Sequence, residues 1–227
     1  MLPDDLTVTA TGTMGQVNFD VSNGENEIYL VAGVDHATDF TLGSDINSLS
    51  INSGSGYDHI TAKTGAVFND VQFDTGNSSN PNIDTARFYA TGDVGNVTVT
   101  ADFALTLDMR IAGSAKDLTL STGDGIDNIT IDITGGIDDF ISDTYAGNDL
   151  VHLSTGGTIQ DIRVDSTDGL DLNIFSAGAG DIIVDTGNFD DDIDIIVDGE
   201  IGFLLLDSNA GADEVTIDVS RSSEYLT

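Results

Sequence analysis

The chain is poor in several residue types, and each shortage narrows what it can do. It has no cysteine, no tryptophan, two prolines and six lysine or arginine residues among 227. Without cysteine, disulfides contribute nothing to the fold. Six basic residues against 40 acidic ones give a formal net charge of -34. Nucleic acid and anionic membranes are therefore not expected as partners, because both require clustered lysine and arginine.

Long apolar runs and catalytic signatures are missing as well. No apolar run approaches the length of a membrane span, and the N-terminus lacks the pattern of a signal peptide, so no membrane insertion is expected. No nucleophile elbow or phosphate loop is visible. His36, His59 and His152 lack the close spacing of a zinc site. The start at Met1 is interpreted as an initiator added to a segment of a longer protein.

What the chain has instead is a recurring turn. Residues 165–171 have the form D-[S/T]-x-x-G-x-D, and residues 143–149 and 207–213 repeat it. A fixed period in this range is the mark of a stacked repeat architecture. The closing aspartates of these turns recur in steps of 20 or 22 residues at Asp127, Asp149, Asp171, Asp191 and Asp213.

Each repeat also carries two short strands, with a third inward position before the first in some coils. Leu118 and Leu120 alternate in the first strand of one coil, and Ile129 and Ile131 alternate in its second strand. Period-two alternation of this kind is typical of a half-buried strand. Such strands cannot bury a face alone, so the sequence predicts an all-β, right-handed parallel β-solenoid of about nine coils, forming a single domain over residues 1–227. The coils are predicted to open near Gly12, Gly43, Gly65, Gly92, Gly113, Gly135, Gly157, Gly178 and Gly199.

The two halves of the predicted solenoid differ in regularity. Regular coils span about residues 113–220, and irregular coils span about residues 12–112. In the irregular half, Leu105 stands where a closing aspartate should be, and an insertion begins at Asn77. Insertions in solenoids map to one face and can carry binding, so specific recognition is expected in the irregular half.

Stacking in register would place the closing aspartates in one column, with neighbours about 4.8 Å apart. Asp143, Asp165, Asp185 and Asp207 would form a second column across the turn. Like charges at this distance repel by about 1 kcal/mol in bulk water and about 3–4 kcal/mol at an effective dielectric near 20, so the columns need to be neutralised. Calcium is the natural candidate, because it takes roughly 6–8 oxygen ligands in a flexible geometry.

The strand after Asp171 is expected to slip by one residue, so that Leu172 and Ile174 form its apolar pair.

The turn also resembles that of a known family. Residues 123–129, Gly-Asp-Gly-Ile-Asp-Asn-Ile, and residues 54–60, Gly-Ser-Gly-Tyr-Asp-His-Ile, look like the G-x-G-x-D-x-aliphatic core of the repeats-in-toxin, or hemolysin-type, calcium-binding repeat. The resemblance implies a parallel β-roll that binds Ca²⁺, as found in secreted toxins, proteases, surface-layer proteins and giant adhesins. It assigns ligand roles to Asp58, Asp127, Asp149, Asp171, Asp213 and, with Phe189 replacing the second glycine of the motif, Asp191. The expected calcium site also includes Asp124, Asp168 and the second column.

Two alternatives to calcium would also account for the acidic turns. Aspartate, serine, threonine and glycine are ordinary turn formers, and an aspartate side chain can satisfy local backbone N–H groups. A protein from a halophile would show the same surplus of aspartate. The chain also departs from the family pattern, because the motif occurs once per coil instead of every nine residues.

Basic residues cluster at one predicted place. Lys63, Arg87 and Arg110 are expected to project outward from the second strands of three consecutive coils, with Tyr89 among them. This patch could hold an acidic glycan or the carboxylates of a neighbouring surface-protein subunit.

The sequence thus predicts a non-catalytic structural or adhesive rod in a secreted or cell-surface protein, stabilised by calcium. The alternative is a parallel β-helix that binds or processes carbohydrate, such as a polysaccharide lyase or epimerase, in which two carboxylates act as acid and base. Every coil offers such a pair, and nothing marks one of them as unusual.

Overall fold

A computed structural model describes residues 5–9, 26–31, 34–42, 46–52, 55–64, 68–75 and 83–220. Within these residues the regular structure consists of nineteen β-strands, numbered in chain order, and no helix. The strands form two parallel sheets of ten and nine strands. The all-β prediction is confirmed.

The ten-stranded sheet, sheet 1, contains the first strand and all even-numbered ones. Its members are β1 (Asp5–Thr9), β2 (Asn26–Val31), β4 (Ile46–Asn52), β6 (Phe68–Asp74), β8 (Val94–Thr100), β10 (Ala115–Ser121), β12 (Ile137–Asp143), β14 (Thr158–Asp165), β16 (Gly178–Asp185) and β18 (Ile201–Asp207). The nine-stranded sheet, sheet 2, contains β3 (Val34–Leu42), β5 (Ser55–Thr64), β7 (Asp84–Ala90), β9 (Leu105–Ile111), β11 (Asn128–Ile133), β13 (Asn148–Thr155), β15 (Gly169–Ser176), β17 (Asp192–Val197) and β19 (Glu214–Val219).

From β2 onward the chain alternates between the two sheets, so each coil gives one strand to each sheet and every strand pairs with the strand one coil away. This is the predicted parallel β-solenoid. The uninterrupted stretch 83–220 contains thirteen strands, β7 to β19, which make about seven turns of the solenoid. The predicted count of about nine coils is therefore slightly higher than this stretch holds, and the earlier strands extend the same two sheets.

The core lies between the sheets and is built from inward-facing positions that stack in register. Ile129 in β11 pairs with Leu107 in β9 and with Val151 in β13, and all three are at most 1% exposed. Burying each such side chain stabilises the fold by about 1.5–3 kcal/mol before entropy is counted. Phe73 and Phe88 close the core across the two sheets with an edge-to-face contact between ring centroids 5.8 Å apart.

The strands of sheet 1 carry the third inward residue that the sequence predicted, and it belongs to the same strand as the others. Ile137 in β12 and Ile159 in β14 are 2% and 1% exposed and pair with each other. Two outward residues separate Ile137 from the next inward residue, Phe140. The period-two alternation is therefore broken once in this strand, which lets a short strand place three residues in the core.

Candidate functional site: the aspartate columns

The acidic turns form one corner of the solenoid, between the end of a sheet 1 strand and the start of the next sheet 2 strand. In one coil, Asp143 ends β12 and Asp149 is the second residue of β13. Thr144 and Asp149 are enclosed in the corner at 0% and 2% exposure, whereas Asp143 is half-buried on the outside. Two aspartates of the same turn therefore lie in opposite environments.

The inward aspartates form what we call the inner column, and each bonds to the coil before it. Asp127 Oδ1 accepts a hydrogen bond from the backbone N–H of Leu105 at 2.7 Å, and Asp149 Oδ1 accepts one from the N–H of Asp127 at 3.0 Å. Asp191 Oδ1 accepts from the N–H of Leu170 at 2.8 Å, and Asp213 Oδ1 accepts from the N–H of Asp191 at 3.2 Å. A buried N–H group without a partner is costly, so these carboxyl groups fasten successive coils at the corner.

The prediction that Asp171 belongs to this column is wrong. Asp149 pairs with Leu170, which is 2% exposed, while Asp171 pairs with Leu150 and lies exposed on the outside. Successive side chains of a strand point to opposite faces, so a shift of one residue moves the carboxylate out of the corner. The expected apolar pair of this strand is confirmed, because Leu172 and Ile174 are both 0% exposed.

Threonine accompanies aspartate inside the corner. Thr186 Oγ1 donates to Asp191 Oδ2 at 2.6 Å, and both residues are buried. Thr122 and Thr144 lie the same five residues before Asp127 and Asp149. In these two pairs the Oδ2 atoms are buried and make no hydrogen bond of normal geometry. A carboxylate charge at those atoms is therefore poorly compensated.

The pKa values of Asp127 and Asp149 reflect this enclosure. Burial raises the pKa of Asp127 to about 7, against the opposing effects of the Thr122 hydroxyl and the Leu105 N–H, and the charge of Asp149 adds to the rise. Burial likewise raises the pKa of Asp149 to about 6. Asp127 and Asp149 thus have a way of losing their charge that the sequence did not indicate. N–H donors stabilise one oxygen of each carboxyl group, and a proton on the group removes the rest of the charge.

The second predicted column is present on the outside of the corner. Asp143, Asp165, Asp185 and Asp207 pair in register on four successive strands of sheet 1. Asp165 Oδ2 lies 3.4 Å from the guanidinium of Arg163, and Asp185 Oδ1 accepts from the side-chain amide of Asn209 at 3.0 Å.

A third acidic row was missed. Asp117, Asp139, Asp161 and Asp181 pair in register across the outside of β10, β12, β14 and β16. Partial desolvation and the charges of Asp117, Asp161 and Asp138 raise the pKa of Asp139. Each of the four aspartates directly precedes a buried apolar residue of the strand, as in Asp117-Leu118-Thr119-Leu120. That recurrence was the signal that could have revealed the row.

The remaining predicted metal ligands do not complete a coordination sphere. Asp124 is exposed and Asp168 is half-buried at the turn, and the side chain of Asp58 lies outside the described side chains. In the part of the chain that the structure describes, no group of three or more histidine, cysteine, aspartate or glutamate side chains could hold a metal ion. Asp127 and Asp149 also fit calcium poorly, because they are enclosed and have one oxygen bonded to a backbone N–H. Calcium binding stays a prediction.

The glycine of the G-x-D motif has a steric role of its own. A Cβ atom at Gly147 would overlap the carbonyl oxygen of Gly125 in the turn of the previous coil and lie 2.7 Å from Asp149 Oδ1. Gly125 itself has a φ of 131°, which is a region that glycine alone adopts readily. Close stacking of the turns over the buried carboxyl group therefore requires glycine at this position.

The residues of the predicted basic patch are brought together on the outside of sheet 2. Lys63 pairs with Tyr89 and Tyr89 pairs with Arg110, while Arg87 lies two residues before Tyr89 on β7. The side chain of Lys63 lies outside the described side chains. The Arg110 guanidinium lies 5.7 Å from the centre of the Tyr89 ring, in cation–π geometry.

Asp108, which was not predicted from the sequence, offsets part of this charge. It accepts a hydrogen bond from the Tyr89 hydroxyl at 2.7 Å and pairs with Arg110 Nε at 3.0 Å. Burial and the hydrogen bond to Asp108 raise the pKa of Tyr89. The sequence signal that could have revealed the role of Asp108 is its alternation with Arg110 along β9.

Comparison with known proteins gives no relative to argue from. A scan against protein-family models gave no match, and searches of curated proteins and of solved structures gave no significant match either. The parallel solenoid is compatible with the β-roll that the repeats-in-toxin resemblance implies, but membership of that family stays a prediction. Among the described residues, no helix is long and apolar enough to cross a membrane.

Proposed function

We propose that this chain is a non-catalytic structural segment, a rigid rod that acts as a spacer or adhesin stalk in a secreted or cell-surface protein. The observation that carries the proposal is the inner column. At the corner, a buried carboxyl group joins one coil to the next, in addition to the strand pairing that continues from β1 to β19. Such a rod resists bending, because a coil that tilts must break its strand pairing and, where the inner column supplies one, the carboxyl bond at the corner.

The dimensions suit a spacer. At about 4.8 Å per coil, ten stacked strands span on the order of 45 Å. The acidic residues recur at equivalent positions in successive coils, which is expected of a uniform rod and does not single out one coil as a reaction centre. The location outside the cell rests on the family resemblance and on the acidic composition.

Two measurements test the proposal together. Small-angle X-ray scattering of the full chain is expected to give an elongated particle whose shape is unchanged between low and high salt. Antibody labelling of intact source cells is expected to detect the chain without permeabilisation. A compact or salt-dependent shape would refute the rigid rod, and labelling that needs permeabilised cells would refute the surface location.

Calcium stabilisation is tested separately. Calcium that binds only the folded chain would raise the melting temperature by mass action. A calcium titration at pH 8, compared with magnesium and sodium chloride at equal ionic strength and with a chelator, distinguishes the possibilities. A rise specific to calcium supports the metal-binding turn. Equal rises with all three salts support adaptation to high salt, and no response leaves the turns as purely structural.

Catalysis is the outcome that would overturn the structural role. The alternative module would cleave or epimerise an acidic polysaccharide with a pair of carboxylates from neighbouring coils. Incubation of the full chain with polyuronates is expected to release no unsaturated or shortened products. Turnover that is lost on changing one aspartate pair to asparagine would replace the proposed function.

A further inference from the structure

The outer face of sheet 1 has a layout that the rod function does not require. Over β12, β14, β16 and β18, its outward positions form three parallel rows, which together we call the acidic face. One outer row is Asp139, Asp161 and Asp181, extended by Asp117 on β10. The other outer row is Asp143, Asp165, Asp185 and Asp207. The centre row is Ile141, Arg163, Ile183 and Leu205.

The spacing of the rows follows from strand geometry. Neighbours within a row are about 4.8 Å apart, because they lie on adjacent strands. The two acidic rows are four residues apart along each strand, which is about 13 Å, and the centre row lies midway between them. A chain lying along the centre row could therefore reach carboxylates on both sides with side chains of the length of lysine or arginine.

Three of the four centre-row residues are apolar, with Arg163 as the exception, and the row is accessible. Ile141 is 40% exposed and Leu205 is 52% exposed, and Phe203, which continues the first acidic row on β18, is 51% exposed. On β12 the inward neighbour Phe140 is 0% exposed, so Ile141 is additional to the core. On β18, the last strand of sheet 1, the inward residues Leu204 and Leu206 are partly buried and pack against the core, so Leu205 and Phe203 are outward residues at the end of the described sheet. Exposed apolar residues aligned over several strands are typical of an interaction surface.

The charge of the face is largely uncompensated within the chain. Partial desolvation raises the pKa of Asp139, and the charges of its row neighbours Asp117 and Asp161 raise it further. Among the described residues of the three rows, Arg163 is the one cation, and its guanidinium lies 3.4 Å from Asp165 Oδ2. The chain itself thus shows how a guanidinium on the centre row pairs with an acidic row.

We propose that the acidic face binds a basic, extended segment of another protein, whose lysine or arginine side chains pair with the two acidic rows and whose apolar side chains lie on the centre row. Charge complementarity selects a cationic partner. The apolar centre selects a polypeptide with apolar side chains over a simple cation, because a simple cation would leave Ile141, Leu205 and Phe203 in water.

The test uses the full chain and a synthetic peptide of about twelve residues that repeats valine-arginine-arginine, because an extended chain with three residues per turn places valine on one ridge and arginine on the two ridges beside it. The peptide is long enough to span the described strands of the face. Isothermal titration calorimetry is expected to show saturable binding that weakens with salt. The variant Asp139→Asn, Asp161→Asn, Asp181→Asn is expected to weaken binding by roughly tenfold, since several rim pairs are lost together.

The control variant removes three exposed charges from the outside of sheet 2 and changes the net charge equally: Asp132→Asn, Asp192→Asn, Asp218→Asn. It is expected to change the dissociation constant by less than about twofold. A second pair of measurements isolates the centre row. Ile141→Ser with Leu205→Ser, or a peptide with serine in place of valine, is expected to weaken binding by roughly fivefold at unchanged charge. Melting curves check that each variant folds.

Three results would overturn the proposal. The peptide does not bind the full chain; or the two triple variants weaken binding equally, which indicates attraction by net charge alone; or the serine substitutions have no effect, which indicates that the apolar row takes no part.

Discussion

Aspartate side chains lie in opposite environments on the inside and the outside of one corner of the solenoid. Asp149 is enclosed, accepts a backbone N–H from the previous coil and has a pKa raised to about 6 by burial. Asp143, six residues earlier, faces outward in a row of like residues. The difference shows that the carboxyl groups of the motif are not one ladder with one counter-charge. The inner ones act as hydrogen-bond acceptors for the previous coil, and the outer ones act as surface charge.

The largest expected effect comes from pH. The folded pKa values of Asp127 and Asp149, about 7 and about 6, lie above their ordinary value, so the stability linked to these groups is fully present below about pH 4. It is lost as the pH rises through about 6 and 7. A shift of about three units corresponds to roughly 4 kcal/mol at most for Asp127. Urea unfolding in chelator is therefore expected to show lower stability at pH 8 than at pH 5.

The double variant Asp127→Asn, Asp149→Asn provides the control for the pH experiment. Asparagine keeps an oxygen acceptor without a titrating proton, so the fall in stability between pH 5 and pH 8 is expected to shrink. Stability that instead rises over this range in the parent chain would show that the inner carboxylates are ionised in the folded state. That result would remove the distinction between the two sides of the corner.

The next effect comes from deleting single carboxyl groups. Asp127→Ala leaves the buried N–H of Leu105 without its acceptor and opens a cavity, which is expected to cost about 3 kcal/mol at pH 5. Asp143→Ala, from the outside of the same corner, is expected to change the free energy of unfolding by less than about 0.5 kcal/mol. Chemical denaturation measures both. Comparable losses would contradict the assignment of structural and surface roles.

A smaller loss is expected from crowding the turn over the inner column. Gly147→Ala places a Cβ atom against the Gly125 carbonyl and 2.7 Å from Asp149 Oδ1, so the turn must shift at a cost of about 2 kcal/mol. Gly178→Ala is the matched control, because a Cβ atom there first meets a Thr158 methyl group at 3.1 Å. Thermal melts of the two variants are expected to differ clearly. Equal melting temperatures would show that close stacking of the turns is not required.

The smallest effect belongs to the outer rows. Asp139→Asn removes a charge from between Asp117 and Asp161, so a slight rise in melting temperature is expected at low salt. Salt screens interactions between exposed charges, and the rise is expected to disappear in about 1 M sodium chloride. A fall in melting temperature would mean that this carboxylate has a stabilising partner and does not behave as surface charge.

The solenoid could be predicted from the sequence because its period and alternation are strong local signals. The alternation placed Ile129 and Ile131 correctly in the core, and the steps between turns predicted the stacking. The side of the corner on which each aspartate lies could not be predicted as well. Asp171 shows why. It keeps the spacing of the motif, but the register of β13 and β15 pairs Asp149 with Leu170, one residue before Asp171, so Leu170 takes the inward position. The motif fixes the number of residues between its aspartates, whereas the direction of each side chain depends on how its strand pairs with the next coil.

The raised pKa values of Asp127 and Asp149 could not be predicted for a similar reason. The repulsion expected between the columns holds for carboxylates that are exposed to solvent in a turn. Enclosure of Asp127 beside Thr122 and the Leu105 N–H makes protonation a local alternative to calcium, and enclosure is a tertiary property that spacing does not contain. The row of Asp117 and Asp139 was missed because its members lie in mid-strand, where no turn motif marks them.

The two leucines in the inner column, Leu105 and Leu170, limit how far charge interactions between its carboxyl groups extend along the rod. Along the described corner the column reads Asp84, Leu105, Asp127, Asp149, Leu170, Asp191 and Asp213. No more than two carboxyl groups are consecutive, and a leucine separates each run from the next by two coil spacings, about 10 Å. Doubling the distance halves the Coulomb interaction between two charges, so the charge of Asp149 acts on the pKa of its neighbour Asp127 more than on a carboxyl group of the column beyond a leucine.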